Sequence, residues 1–513
     1  MARFYLTTAI DYANGEPHLG HAYEKIGADA IARYRRMRGD DVQFLTGLDE
    51  HGQKVAQAAA ERGILPQQFV DEIAARFERM WQRLAISRDR FIRTTDPDHK
   101  AGVRALIERI HERAPTDFYE KSYEGWYCVG CELFKRDDEI VDGKCILHPT
   151  RTLEWTSERN WFFRLTRYQE FLRRLFDERP DFLCPATRRN EMLSLLERGL
   201  EDISVTRSRL TWAIPFPLPL STGETQGTWV WFDALPNYLT ATGFPIPGYE
   251  SRWPAQLHVV GKDITRLHSV IWPAMLKAAE LPLPERVWAH GFVLQAGERF
   301  SKSAGVRLDL ADAIDRRGAD ALRYFLLREV PFDADGTFSY ERFDERYTSD
   351  LANSLGNLAS RAVAMVEKYC DAVVPAGAAT ELDRADAAEA AEYHAAMSGS
   401  QGFLLHEALK RVMSSVARGN EFVQASQPWA LSKNPDRRAE LESVLAAIIR
   451  QLARHAIHLA PFMPAKSQEL WAQLGGRGSV HAQRFADVDT LDVFGWRVAK
   501  GASLFPKPPT PTI

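Results

Sequence analysis

His18 and His21 flank Leu19-Gly20 in the stretch EPHLGHAYEKIGADAIARYRRMRGD, where a helical run begins. A helix N-terminus offers unpaired N–H groups and a partial positive charge. Imidazoles placed there add donors to a spot that already suits an anion. Alone, this spacing would describe a turn with two surface histidines. Three further segments change the reading: GLDEHG at 47–52, GKD at 261–263, and QAGERFSKSAG, which carries Arg299, Ser301, Lys302 and Ser303. Each follows an apolar run of strand character, as does the segment DYAN before the histidines. In an open parallel sheet, ligands bind outside the carboxyl ends of the strands, so these four polar strand ends predict one crevice. The chemistry they suit is attack on a nucleotide phosphate. Gly20 lets backbone approach a ligand closely, and imidazoles donate to phosphate oxygens that gain charge in the transition state. Lys302, between two serines, suits a leaving polyphosphate. No nucleophile triad and no GxxxxGK[ST] loop is present, so catalysis here is positioning and electrostatics.

The elements that must hold these groups alternate. Residues 3–10, 41–52 and 89–96 read as strands, separated by runs of helical period such as PQQFVDEIAARFERMWQRLAI and PDHKAGVRALIERIHERA. This predicts a parallel sheet wrapped by helices. The rhythm breaks from about residue 118, where Cys, Tyr, Trp, Gly and Asp crowd short segments to about 225. It resumes with WVWFDALPNYLTATG, AQLHVVGKD, ITRLHSVIWPAMLKAAEL and RVWAHGFVL. From 348 onward nearly everything has helical period, and FPKPPTPTI reads as an extended tail.

The bulk properties fit a folded enzyme of several domains. The chain has 513 residues, 45% hydrophobic and 26% charged, with a net charge of −4. That charge argues against indiscriminate nucleic-acid binding and leaves room for a local surface that recognises one structured RNA. Five cysteines in this length make no disulfide scaffold. Three of them form Cys128-x2-Cys131-x13-Cys145-x2-His148. Two close ligand pairs around a short loop are typical of a structural, tetrahedral zinc site with no open position. The N-terminus lacks a signal peptide's apolar stretch, and VLAAIIRQLARHAIHLAPFM is broken by Arg450, Arg454 and His455. A cytoplasmic protein that spans no membrane is expected.

HLGH resembles the HIGH signature of the class I aminoacyl-tRNA synthetases, and RFSKS resembles their KMSKS signature. The finer match is to the methionyl-tRNA synthetase family, through TTAIDYANGEPHLGHAYE, FLTGLDEHGQKV, YEGWYCVGCE, WVWFDALPNYL, VVGKDITRLHSVIWPAML, AHGF and LANSLGNLASR. It spans roughly residues 3 to 465. The resemblance implies a Rossmann-type catalytic domain in two halves, 1–117 with HLGH and 226–292. A connective insertion with the zinc knuckle would occupy 118–225, the RFSKS loop and stem-contact region 293–347, and an all-α anticodon-binding domain with its tail 348–513. It further implies ATP-dependent ligation of L-methionine to methionine tRNA, initiator and elongator, through methionyl-adenylate. Mg2+ would accompany ATP, and the chain would act as a monomer with no role for DNA. Arg299 and Phe300 depart from the usual Lys and Met, and CILHP departs from the usual paired-cysteine ending.

By the same resemblance His18, His21 and Lys302 are catalytic, and Gly20, Gly261, Asp263, Arg299, Ser301 and Ser303 join them at ATP. Trp231, Ala234, Leu235 and Tyr238 share one helical face, and Ile264, His268 and Trp272 another. Periodicity alone favours two core-facing stripes. The resemblance makes them, with Ala9, Ile10 and Tyr12, a methionine pocket in which aromatic edges pack on the thioether and Asp49 meets the α-ammonium. Asp11 is an unusual acid beside such a pocket. Asn357, Arg361 and Trp429 would read anticodon bases by edge hydrogen bonds and stacking. A synthetase for cysteine, leucine or valine is the nearest alternative, although a leucine or valine enzyme carries a larger editing insertion. An RNA-binding protein without catalysis is the alternative from another class.

Overall fold

Alternation in RFYLTT sends Phe4 and Leu6 to one face of a strand and Tyr5 to the other, and all three are buried. Burial on both faces is the mark of a parallel sheet covered on both sides. In the computed structural model, which describes residues 2–128, 133–135, 137–146, 148–295, 298–299, 309–399 and 402–507, this segment is β1 (Arg3–Thr8) at the middle of a seven-stranded sheet. The other strands are β2 (Asp11–Tyr12), β3 (Asp41–Asp49), β4 (Arg90–Arg93), β5 (Leu183–Cys184), β6 (Leu257–Gly261) and β7 (Val287–His290). They run β5–β7–β6–β1–β3, with both β2 and β4 paired to β3, and every pairing is parallel. Leu6 stands opposite Phe44 on β3 and Leu257 on β6. The chain leaves β1 toward β3 on one side and returns to β6 on the other, so the carboxyl end of β1 is the topological switch point.

Helices cover each face. On one, α1 (Leu19–Arg38) and α3 (Pro66–Arg83) set Tyr23, Ile26, Phe77 and Trp81 against Leu6, Phe44 and Val259. On the other, α4 (Pro97–Arg113) and the segments 230–240 and 267–278 set Val103, Leu106, Tyr238 and Met275 against Tyr5, Leu45 and Val260. Helix α2 (Gln53–Glu61) follows β3 directly. Gly39, at φ 94°, ends α1 in the left-handed region and donates to the carbonyls of Arg35 and Arg36.

The insertion is a long antiparallel hairpin of Phe118–Cys128 with Glu154–Phe163, in register from Phe118 opposite Phe163 to Tyr127 opposite Glu154. A small antiparallel sheet of Ile140–Val141, Lys144–Cys145 and His148–Thr152 lies within it. The structure differs from the expected uninterrupted insertion over 118–225 at one point. Leu183–Cys184 is β5 and pairs with Val287–Trp288 at the edge of the main sheet. Two residues carry no readable period, so this strand was invisible in the sequence.

From Leu310 the chain is mostly helical, through Ala319–Glu329, Tyr340–Arg346, Asn357–Cys370, Glu381–Ser398, Leu405–Ser426 and Arg438–Leu459, with the short strand Gly336–Phe338 between the first two. The segment before the tail packs back on this domain, with Val373 bridging Arg497 and Trp496 meeting Trp471 edge-on. At the start of the tail the Tyr347 hydroxyl donates to the Pro506 carbonyl at 2.9 Å. No helix among the described residues is long and apolar enough to cross a membrane.

The two regions are tied by Arg323, whose side chain is fully buried. It donates to Asp29 Oδ2 of α1 at 2.6 Å, and to the carbonyls of Leu84, Pro461 and Phe462 at 3.0, 3.0 and 2.8 Å. Asp29 also binds Arg33 and Ser87, and these groups hold it at about 2 against the pull of burial. Removing one partner of such a pair strands the other charge in a dry interior. Arg323→Ala is therefore expected to cost about 3–5 kcal/mol, read as a lower denaturant midpoint in equilibrium unfolding.

Candidate active site

His18 is the N-cap of α1, extended at φ −131° and ψ 174°. Its Nδ1 accepts from the backbone N–H of Gly20 at 3.1 Å and of His21 at 3.4 Å, while His21 Nδ1 accepts from the His18 N–H at 3.3 Å. This is a capping box built from two imidazoles in place of the usual hydroxyl and carboxylate. Because both Nδ1 atoms accept, both rings carry their proton on Nε2. The rings stack with centroids 3.6 Å apart, so the two Nε2–H donors belong to one compact pair at the positive end of the helix. Gly20 makes the box possible, since a Cβ there would lie 3.0 Å from His18 Cε1 and 3.1 Å from Nδ1.

The sheet brings the other strand ends to the same edge. Gly261 closes β6, and Lys262 of the following turn pairs with Asp335 at 2.7 Å, leaving Asp263 exposed beside it. β7 leads through Gly291 into Val293–Gln295, which pairs with Glu298–Arg299 and, in parallel, with Gly336–Phe338. The backbone of Arg299 thus sits at the base of the predicted signature loop. Ser301, Lys302 and Ser303 lie outside the described residues.

A cavity opens on the other side of the β1 end. Ala9, Ile10, Asp49, Trp231, Ala234, Leu235, Tyr238 and His268 line it, together with Asn237, which sequence reasoning missed. Three further expected members pack in the same cluster. Tyr12 lies under the Lys54 ammonium, 5.2 Å from its ring centre, and Ile264 is half-buried. Trp272 is fully buried beside Tyr238, with ring centres 6.3 Å apart. Leu267–Ile271 is a π-helix, so α-helical spacing does not carry from His268 to Trp272. The helix read over WVWFDALPNYL is also broken, at Pro236, into Val230–Ala234 and Asn237–Thr240. The cavity gives a water-sized centre about 10 Å³, room for one water. A longer side chain enters only when the aromatic walls part.

Two of the cavity's polar groups, His268 and Tyr238, form a neutral pair. Burial pushes His268 down to about 4. Its Nδ1 lies 3.0 Å from the Ile264 carbonyl and its Nε2 2.6 Å from the Tyr238 hydroxyl. The neutral ring therefore donates through Nδ1 and accepts from Tyr238, whose own ionisation burial drives far upward. Next to Ala234 of the wall, buried Asp233 accepts from His51 at 2.6 Å and His99 at 2.9 Å. Burial alone would raise it, yet the two rings hold it below the usual carboxylate range. His99 continues to Thr240 at 2.8 Å. This Asp233 link pins the segment 230–240 to α4 and to the end of β3. The only signal for it in the sequence was an acid inside an otherwise apolar run.

At the insertion, Cys128 and Cys145 are buried, and Cys145 stands opposite His148 in the hairpin register. Cys131 and the side chain of His148 lie outside the described residues, and no group of three metal-binding side chains occurs among the described ones. On the helical domain, Asn357 is exposed, Arg361 half-buried and Trp429 37% exposed. Asn420 donates to the Ser354 carbonyl at 3.3 Å and so docks Leu405–Ser426 beside the Asn357 segment.

The family model described as tRNA synthetases class I (M) matches residues 4–153 and 136–363, and that for the anticodon-binding domain of tRNA ligase matches 393–500. Fold and site together define a class I aminoacyl-tRNA synthetase. The methionine–tRNA ligase of Rhizobium meliloti is 44% identical over 476 residues, covering 91% of this chain and 90% of its own. That of Caldanaerobacter subterraneus subsp. tengcongensis is 41% identical over 511 residues, 98% of this chain and 78% of its own. The Mycobacterium tuberculosis methionyl-tRNA synthetase, solved in complex with methionyl-adenylate, superposes with a TM-score of 0.93 at 39% identity, covering 99% of this chain and 100% of that one. The chain belongs to the methionyl-tRNA synthetase family.

The buried neutral rings make stability depend on pH. His268 at about 4, and His455 and His458 at about 3, bind a proton in the unfolded chain near 6.5 but not in the folded one. Their contribution is complete above about pH 6.5 and is lost as pH falls toward 4, at up to about 1.4 kcal/mol per pH unit for each ring. Denaturant midpoints measured from pH 7.5 to 5 are expected to fall, and His268→Gln is expected to flatten the slope by one ring's share.

Proposed function

We propose that this chain joins L-methionine to methionine tRNA in two steps at the carboxyl edge of its parallel sheet. The observation that carries the reading is the histidine-capped helix seated beside the cavity of Trp231, Tyr238 and His268, both at the end of β1. In the first step a methionine carboxylate oxygen attacks the α-phosphorus of ATP. The bond from that phosphorus to the β-phosphate-bearing oxygen breaks, giving methionyl-adenylate and pyrophosphate. In the second, the 3′-terminal ribose hydroxyl of the tRNA attacks the methionyl carbonyl carbon, loses its proton, and AMP leaves.

The Nε2–H donors of His18 and His21 meet the α-phosphate oxygens as charge builds on them, already fixed in place by the capping box. Gly20 gives the nucleotide close access to the helix end. Gly261, Asp263, Arg299, Ser301 and Ser303 complete the ATP site, and Lys302 receives the pyrophosphate. Mg2+ arrives with ATP. Asp49, on the cavity wall, pairs with the methionine ammonium, while the neutral His268–Tyr238 pair leaves the inner end apolar enough for a thioether.

Away from the site, Asn357, Arg361 and Trp429 form the anticodon-reading face, serving initiator and elongator methionine tRNA alike. The protein works in the cytoplasm as a monomer. Two buried thiols and a cross-strand His position suit a borderline-soft cation. Cys128, Cys131, Cys145 and His148 would hold zinc, which when bound supplies a structural cross-link in the insertion.

Pyrophosphate exchange into ATP, run with each standard amino acid and no tRNA, tests the reading. Exchange with methionine alone is expected; exchange with another amino acid would keep the fold and overturn the pocket. His21→Ala is expected to slow methionine-dependent exchange by about 10²–10³-fold, the scale for losing one preorganised donor. Atomic emission on purified protein is expected to find one zinc per chain in the wild type and none in Cys145→Ser. Wild-type protein without zinc would refute the metal assignment.

A further inference from the structure

Lys25, on α1, has a side chain with no exposure at all. Its ammonium makes three contacts: to the Ala9 carbonyl at 2.9 Å, to Asp11 Oδ1 at 2.6 Å and to Glu24 Oε1 at 2.8 Å. An ammonium has three donors, so its capacity is filled. The acceptors are not scattered. β1 stops at Thr8 and β2 starts at Asp11, so Ala9-Ile10 is a two-residue break between strands. Lys25 grips both sides of that break, and both residues of the break line the cavity. Glu24 extends the cluster, with Oε2 3.0 Å from His290 Nε2 at the end of β7.

Burying an ion pair is a poor way to gain stability, because desolvation offsets most of the attraction and an apolar pair of similar volume does as well. What the pair supplies is direction. Without it, Ala9 is held by its own N–H to the Val259 carbonyl at 3.0 Å, which fixes the amide before the break but not the carbonyl within it.

We propose that Lys25 and Asp11 are positioning residues for the amino-acid half of the site, holding the Ala9-Ile10 break in the shape that forms one wall of the methionine cavity. This rests on the reading of that cavity as the methionine pocket. Neither residue touches substrate; they act through the backbone of Ala9 and Ile10. Burial pushes Asp11 up to about 7 while Lys25 pulls it down, as expected for a carboxylate kept for geometry in a dry place.

The test is methionine-dependent pyrophosphate exchange, with KM measured separately for methionine and ATP. Asp11→Ala and Lys25→Met are each expected to raise KM for methionine about tenfold while KM for ATP stays within about threefold. Asp11→Asn, which keeps an oxygen for Lys25, is expected to stay near the wild type. Lys25→Met strands both Asp11 and Glu24, whereas the double variant D11A/K25M strands only Glu24, so its thermal midpoint is expected to recover part of what Lys25→Met loses while its KM for methionine stays high. Recovery of both together would make the pair merely structural and overturn the proposal. So would parallel rises in both KM values, or an unchanged methionine KM in a folded Asp11→Ala protein. Should Lys25→Met fail to fold, the contrast between Asp11→Ala and Asp11→Asn decides the same question. Wild-type protein without methionine-dependent exchange would instead overturn the functional reading beneath it.

Discussion

The pair of Asp29 and Arg323 joins what would otherwise be two bodies. Asp29 lies on the helix that carries the histidine cap, and Arg323 reaches it from the helix Ala319–Glu329 while also binding carbonyls at 461 and 462. An arginine suits this task because its planar fork can serve several acceptors at once without losing its charge. The catalytic helix is thus set against the helical domain as well as against its own sheet. A tRNA held at one end and acylated at the other requires a fixed distance between the two, and this buried joint is part of what fixes it.

Within the catalytic region charge is sorted by side. Toward α1 the interior holds titratable groups in contact: Lys25 with Asp11 and Glu24, and Glu24 with His290. Toward the cavity it holds neutral groups in hydrogen-bonded pairs, His268 with Tyr238 and His258 with Thr7 at 2.7 Å. The division follows from what each side must do. A thioether gains nothing from a nearby full charge, and an unpaired charge near it would call water into the cavity. On the proposed reading the phosphate side needs donors aimed at developing charge, and the capping box would supply them in a fixed tautomer.

Much of this was legible in the sequence for identifiable reasons. The sheet showed itself because β1, β3, β4, β6 and β7 are apolar runs bounded by turns. The histidine cap showed itself because a helix start has a local signature that needs no tertiary information. Most of the cavity wall was legible too: Ala9, Ile10, Asp49, Trp231, Ala234, Leu235, Tyr238 and His268 meet as expected. The hidden features all depend on distant contacts. β5 is two residues long, Asn237 follows the proline that breaks its helix, and the Asp233–His51–His99 link joins positions that no local pattern connects. Asp11 was visible as an oddity. Only Lys25, from a different element, gives it a purpose.

The turn before Trp272 shows a more general limit. Periodicity arguments assume the α-helical turn, and among the described residues π-helical turns replace it at Leu267–Ile271 beside the cavity and at Tyr347–Gly356 just before Asn357. A π turn gives poorer backbone hydrogen bonding than an α turn, so it persists only where surrounding packing holds it, and such turns concentrate at functional sites. Each stretch here is held in that way. His268 and Ser269 bond back to the Ile264 and Thr265 carbonyls, at 3.0 and 2.8 Å. At the second, Tyr324 and Arg346 both bind Asp350, and Asn420 binds Ser354. In both places the wider turn interrupts α-helical spacing just before a residue of interest, Trp272 beside Tyr238 and Asn357 on the exposed face of its helix. A periodic reading does not carry across such turns, and those are the places where the structure has the most to add.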